Sequence, residues 1–193
     1  YYGFNDFLLA TGYKSNVLKK YFENTKIKKS NIKLVYTGKE TLTGGRLLRL
    51  KKLINDDEFL MTYGDGLSNV NLKKLISFHR DSKSIVTLTA VRPPVRFGEI
   101  TLSLKGKINQ FKEKPQSSKN WINGGFFVMN KLIFDYIKND KTILEKKPLE
   151  TLARKKKLSG YKHYSFWQCM DTMRDKNYLN KLWKENKSPW KKW

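Results

Sequence analysis

The chain has 193 residues, enough for one domain spanning 1–193, and its 39% hydrophobic and 13% aromatic residues can supply a sizeable core. The formal charge is +23, from 40 basic and 17 acidic residues, which raises nucleic acid, anionic membrane or phosphorylated molecules as partners. Cys169 is the only cysteine, so an internal disulfide is excluded; no apolar run reaches the length of a membrane span, no secretory signal opens the chain, and a reducing cytoplasm is the expected compartment.

Tyr1-Tyr2-Gly3 leads almost at once into an apolar run, as in a segment entered part-way through a fold. Phe7-Leu8-Leu9-Ala10 reads as a short buried strand closed by Thr11-Gly12. Ser15 is a candidate N-cap for a helix with Val17, Leu18, Tyr21 and Phe22 on one apolar face. A polar connector, 26–31, precedes a second strand from Ile32 to Tyr36.

The loop Thr37 to Arg46 runs into a helix with Leu47, Leu50, Leu53 and Ile54 inward. Thr43 can cap it, Gly44 and Gly45 allow close approach, and Arg46 brings a forked cation. Two readings stand: a phosphate at the helix N-terminus, or a plain glycine-rich helix entry; the spacing matches neither the Walker loop nor GxGxxG.

Phe59-Leu60-Met61-Thr62-Tyr63 is an apolar run that stops at Gly64-Asp65-Gly66. It suits a strand buried on both faces, and ligands bind beyond the carboxyl ends of such strands. Asp65 at that end could hold a divalent cation; an Asp-Gly turn explains the same letters.

Asn71 can cap a helix with Leu72, Leu75 and Ile76 inward, and His79 near its end is expected at the surface. Ile85 to Val91 is β-branched and suits a core strand, ended by Pro93-Pro94. Phe97 to Leu104, a turn at Gly106, and Ile108 to Lys112 predict an antiparallel hairpin ending in Glu113-Lys114-Pro115. An acid beside a base there could read a sugar hydroxyl and a phosphate, or be a solvated edge. Ile122-Asn123-Gly124-Gly125-Phe126 is a loop-to-strand entry whose glycines permit close approach and whose Asn123 offers a donor and an acceptor.

Lys131 to Lys138 reads as a helix with Leu132, Ile133 and Tyr136 inward. Pro148 fits the first turn of another, carrying Leu149, Leu152 and Ala153. The dense run Arg154-Lys155-Lys156-Lys157 is expected as a solvated helix end. Tyr161 to Trp167 is aromatic-rich and reads as extended, leading to Asp171, a second acid at a strand end. A last helix, about Arg174 to Glu185, would bury Tyr178, Leu179, Leu182 and Trp183. Alternating strands and helices through residue 91 argue for βαβ units around a mostly parallel sheet. The basic residues are spread along the chain, and 33 of the 40 are lysine, which argues against sequence-specific nucleic-acid readout.

Six stretches occur in order: Thr43-Gly44-Gly45-Arg46-Leu47, Tyr63-Gly64-Asp65-Gly66, Arg96-Phe97-Gly98, Glu113-Lys114-Pro115, Ile122-Asn123-Gly124-Gly125-Phe126-Phe127, and Phe166-Trp167-Gln168 followed by Met170-Asp171-Thr172. With the tail Ser188-Pro189-Trp190-Lys191 they resemble the sugar-phosphate nucleotidyltransferases, in particular the cytidylyltransferase branch, over essentially the whole chain. The resemblance implies an α/β, Rossmann-like (GT-A-like) fold with a mostly parallel mixed sheet flanked by helices. It implies Mg²⁺-dependent transfer from CTP to glucose 1-phosphate, giving CDP-glucose, a polysaccharide precursor, and pyrophosphate.

Matching motif to motif, Asp65 and Asp171 would hold Mg²⁺. Lys114 would bind the sugar phosphate and act with the two acids in catalysis. Glu113, Asn123 and Gly124 would line the sugar pocket, and Thr41, Arg46 and Gly64 would contact the nucleotide. The family's first strand, Gly-rich loop and helix have no counterpart in these 193 residues, which implies an N-terminally truncated and inactive chain. The link between Phe22 and Ile32 is shorter than in the cytidylyl branch, so a homo-oligomer is left open. A sugar-nucleotide-binding remnant and a basic nucleic-acid-binding module are the alternatives.

Overall fold

The computed structural model describes residues 1–193 apart from 26, 28, 29, 94–97, 114–119 and 193. Ten strands and five α-helices follow in chain order among the described residues: β1 Asp6–Thr11, α1 Ser15–Asn24, β2 Asn31–Tyr36, α2 Thr43–Leu50, β3 Glu58–Thr62, β4 Gly66–Ser68, α3 Leu72–Ser82, β5 Val86–Val91, β6 Glu99–Leu102, β7 Ile108–Lys112, β8 Ile122–Asn130, α4 Lys147–Arg154, β9 Leu158–His163, β10 Trp167–Cys169 and α5 Met173–Lys184. Short 3-10 turns cover Lys51–Leu53 and Lys131–Tyr136.

The central sheet has the order β3-β8-β5-β9. β8 is antiparallel to both neighbours and β5 is parallel to β9, so β3, β5 and β9 run the same way. Side chains alternate across it. One face carries Val86, Phe127 and Met129 into a core with Leu47, Ile133, Phe134, Leu144 and Leu152, under α2, the second 3-10 turn and α4. The other face meets α3, where Leu75 is fully buried and Phe78 packs edge-on to Tyr161. β1 and β2 form a separate parallel pair, and α2 packs on β1 while burying Leu47 in the core. β6 and β7 form the expected hairpin with Gly106 at φ +78°, and β4 pairs with β10.

Several local expectations are corrected by packing. β3 is an edge of the four-stranded sheet and half-buried, because β8 inserts between it and β5. β1 leaves Phe7 42% exposed. Lys14, in the left-handed region, precedes α1 in the cap position, so Ser15 is its first helical residue. The apolar face of α1 is open, with Val17, Leu18 and Tyr21 exposed.

His79 is buried, not at the surface: its Nδ1 lies 2.8 Å from Thr87 Oγ1 beneath α3. The tighter 3-10 winding at Lys131–Tyr136 turns Phe134 inward and leaves Leu132 exposed. Ala153 is exposed on α4, and on α5 Leu179 is buried whereas Tyr178 and Trp183 are exposed. Asn71 caps α3 as predicted, accepting from the Lys74 N–H at 3.1 Å.

Candidate active site

Gly66, Leu67 and Ser68 pair antiparallel with Cys169, Gln168 and Trp167. One step beyond the ladder, the Met170 N–H donates to the Asp65 carbonyl at 2.9 Å. Asp65 and Asp171 therefore leave the same ladder end on neighbouring strands, although 106 positions apart in sequence by their numbering. The Cys169 thiol donates to Asp171 Oδ2 at 3.2 Å.

Asp171 is followed at once by the start of α5. There Thr172 and Asp175 form a reciprocal cap, and Gln168 Nε2 donates to Asp175 Oδ1 at 3.0 Å. Asp175 is buried, so this cap fixes the backbone that presents Asp171. Behind β10, His163 Nε2 lies 3.1 Å from the Phe166 carbonyl and 3.2 Å from Ser68 Oγ, bracing the turn between β9 and β10. Burial lowers the His163 pKa, so it works as a neutral group.

Asn123 and Gly124 lie within β8, not in a loop before it. Gly125, at φ +76°, and the shift in register opposite Leu88 and Ala90 mark a bulge. Gly124 admits no side chain: a Cβ there would lie 2.8 Å from Val91 Cγ1 and 2.9 Å from the Thr89 carbonyl. Its carbonyl accepts from Trp167 Nε1 at 2.7 Å, tying the bulge to β10. Asn123 Oδ1 accepts from the Gly125 N–H at 2.9 Å, and its amide donates to Tyr63 Oη at 3.4 Å.

Tyr63 joins this region to the start of α2. Its hydroxyl donates to Glu145 Oε1, and Glu145 Oε2 accepts from Thr43 Oγ1 at 2.7 Å. Thr43, in turn, accepts the Leu144 N–H at 2.9 Å. Burial first, then the bond to Glu145, pushes the Tyr63 pKa well above its ordinary value, and the charge on Asp65 adds to the rise. Glu145 was not singled out in the sequence; an acid just before a proline-started helix in a basic stretch is the signal that points to it.

At α2 the phosphate reading is corrected. The Gly44 and Gly45 N–H groups both donate to the Thr142 carbonyl, at 3.0 and 3.3 Å. The two glycines admit the 139–143 loop rather than a ligand: a Gly44 Cβ would lie 2.9 Å from Thr142 O, and one on Gly45 would collide with Asp140. Thr43 bonds Glu145 instead of capping its helix.

Arg46 crosses the ends of β1 and β2, donating to the Thr11 carbonyl at 3.1 Å and Thr37 Oγ1 at 2.9 Å, with a longer contact to Lys39 O. Its guanidinium fills the space over Gly12. Thr41 is buried with its hydroxyl against Gly38, and Gly64 is exposed beside Asp65. Glu113 closes β7 on the separate hairpin, near Gly98; Lys114 and Arg96 lie outside the described residues.

The structure thus brings together Gly64, Asp65, Asp171, Asn123 and Gly124, and links them through Tyr63 and Glu145 to the Thr41–Arg46 segment. Two exposed carboxylates at one ladder end suit a hard cation that takes most of its ligands from phosphate and water. Among the described residues no group of three or more His, Cys, Asp or Glu could hold a metal, which does not fit a closed structural site.

A mixed α/β sheet with acids at a strand-end ladder is an architecture for nucleotide phosphates, and the nucleotidyl transferase family profile matches residues 1–184. The chain belongs to that family. A glucose-1-phosphate cytidylyltransferase of Salmonella typhi is 42% identical over 214 aligned positions, covering all of this chain and 83% of that protein. A probable glucose-1-phosphate cytidylyltransferase of Bacillus subtilis is 38% identical, covering all of this chain and 84% of its own length. Among solved structures, HddC from Yersinia pseudotuberculosis aligns with a TM-score of 0.72 at 19% identity, over 94% of this chain and 80% of that one. UDP-glucose pyrophosphorylase complexed with UDP-glucose aligns at 0.69 and 16% identity, over 96% and 83%. These two share the fold.

Proposed function

We propose that the full-length protein transfers a cytidylyl group from CTP to glucose 1-phosphate, giving CDP-glucose and pyrophosphate. The observation that carries the reading is the meeting of the Asp65 and Asp171 segments at the end of the β4–β10 ladder, next to Asn123 and Gly124. The similarity to two cytidylyltransferases supports the choice of nucleotide and sugar.

In the reaction, an oxygen of the sugar phosphate attacks the α-phosphorus of CTP in line. The bond from that phosphorus to the bridging oxygen of the β-phosphate breaks, and pyrophosphate leaves with the electron pair. No covalent enzyme intermediate forms, so positioning and charge stabilisation supply the rate. Asp65 and Asp171 would hold Mg²⁺, which supplies charge neutralisation at the phosphates.

Thr41 and Gly64 line the nucleotide side. Arg46 holds the loop after β2 and keeps its unused N–H groups for the nucleotide. Asn123, Gly124 and Glu113 take the sugar hydroxyls, and Lys114 the sugar phosphate. A cytoplasmic setting follows from substrates of this kind; among the described residues no helix is long and apolar enough to cross a membrane. Sedimentation of the purified protein measures the self-association left open above.

The test is CDP-glucose formation by the full-length protein with Mg²⁺, CTP and glucose 1-phosphate. Asp65→Asn should cut turnover at least about a hundredfold with an unchanged circular dichroism spectrum. Near-normal turnover in that variant would remove the metal role, and wild-type protein making no CDP-glucose would remove the reaction. Tight RNA or DNA binding with a steep salt dependence would favour the nucleic-acid alternative.

A further inference from the structure

Ala90 pairs with Lys162 on β9 and with Asn123 on β8. Strand periodicity therefore puts Lys162 and Asn123 on one face of the sheet, with Ala90 between them. Arg92 and Trp121 follow at the same end, just past the last ladder pair of β5 and β8. The Arg92 guanidinium carbon lies 4.7 Å from the Trp121 ring centroid, Lys162 Nζ lies 5.9 Å from it, and the Tyr164 ring meets the indole edge-on at 5.2 Å. Both cations are solvent-exposed.

Three of the arginines are held by other partners. Arg46 holds backbone carbonyls, Arg49 binds Asp140 and Arg80 binds Glu58. Among the described residues, Arg92 and Lys162 have only the indole as a partner. A cation resting on an aromatic face keeps its N–H groups free at its rim. Two such cations lie beside one ring at this end of the sheet, where the small Ala90 and Gly160 lie on the same face and add little bulk.

We infer that Arg92, Trp121 and Lys162 form a phosphate-binding lip on the sugar side of the site, adjoining Asn123. A guanidinium fork and an ammonium together match the oxygens of a phosphate group better than a carboxylate, which offers only two. The phosphate is that of the sugar 1-phosphate or of the departing pyrophosphate. This assignment of the ligand rests on the reaction proposed above; the site itself rests on the geometry of the three side chains.

The test is isothermal titration of the full-length protein with glucose 1-phosphate, CTP and pyrophosphate in turn. The proteins are wild type, Arg92→Gln, Lys162→Gln, the double variant, and Lys73→Gln as an exposed control on α3. The double variant should bind glucose 1-phosphate about tenfold more weakly, as expected for losing a charge-assisted contact, while Lys73→Gln binds as wild type. A loss confined to pyrophosphate keeps the phosphate lip and assigns it to the leaving group. A double variant that melts like the wild type and binds all three within twofold of it overturns the inference, as does an equal loss in Lys73→Gln. Wild-type protein that makes no CDP-glucose, yet loses phosphate affinity in the double variant, keeps the lip and discards the reaction.

Discussion

The Tyr63 hydroxyl donates to Glu145 and accepts the Asn123 amide, so one phenol couples the Gly-Asp-Gly turn, the start of α4 and the bulge of β8. Its ring packs edge-on against Phe127, 5.5 Å between centroids, so the oxygen has little freedom to move. Tyr63→Phe keeps that packing and deletes only the hydroxyl. Urea denaturation should show a loss of about 1–3 kcal/mol, the cost of leaving half-buried polar partners unmet. Combined with Glu145→Gln, the loss should fall short of the sum of the single changes, because both remove the same bond.

The same tyrosine sets an alkaline limit. Its folded-state pKa is raised, mainly by burial, so the native protein keeps a proton that the unfolded chain releases above about pH 10. This share of stability is intact below that pH and is lost as pH rises beyond it. Denaturation midpoints of Tyr63→Phe should fall less steeply above pH 10 than those of the wild type.

His79 sets an acid limit of opposite sign. Burial lowers its pKa; nearby Glu58, 3.9 Å from Nε2, pulls the other way but does not offset the desolvation. The native ring stays neutral while the unfolded chain takes up a proton below about pH 6.5. Stability is therefore full above that value and declines as pH falls, with His163 contributing in the same direction. Urea midpoints at pH 7.5 and 5.5 measure the drop, which should shrink in His79→Gln.

Gly45 stands where α2 meets the 139–143 loop, which Arg49 also holds through Asp140 Oδ1 at 2.9 Å. Gly45→Ala forces the Asp140 backbone away and should cost about 1–3 kcal/mol in denaturation, despite alanine's better helix propensity. A neutral or stabilising effect would show that the loop yields freely.

The parts of this molecule that rest on local chemistry were legible. Asn71 capping α3, Gly106 turning the hairpin and Val86–Val91 forming a core strand all follow from neighbouring residues. Asp65 and Asp171 could be set at strand ends, but their meeting depends on the β4–β10 pairing, which no window of sequence contains. Thr43 reads as a cap by local rules and loses that role to Glu145, 102 positions away. His79 reads as a surface residue because the buried hydroxyl of Thr87 that receives it belongs to another element. The face of α1 has helical periodicity, yet periodicity names no partner, and Val17, Leu18 and Tyr21 stand open.

Cys169 donates to Asp171 and is the single thiol in these 193 residues. Within them a maleimide dye would attach at one position, beside the carboxylate proposed to hold the cation. Its emission would follow nucleotide and magnesium arriving at the ladder end without any engineered label. The rate of alkylation itself becomes a footprint: occupancy of the neighbouring carboxylate by an ion should slow it.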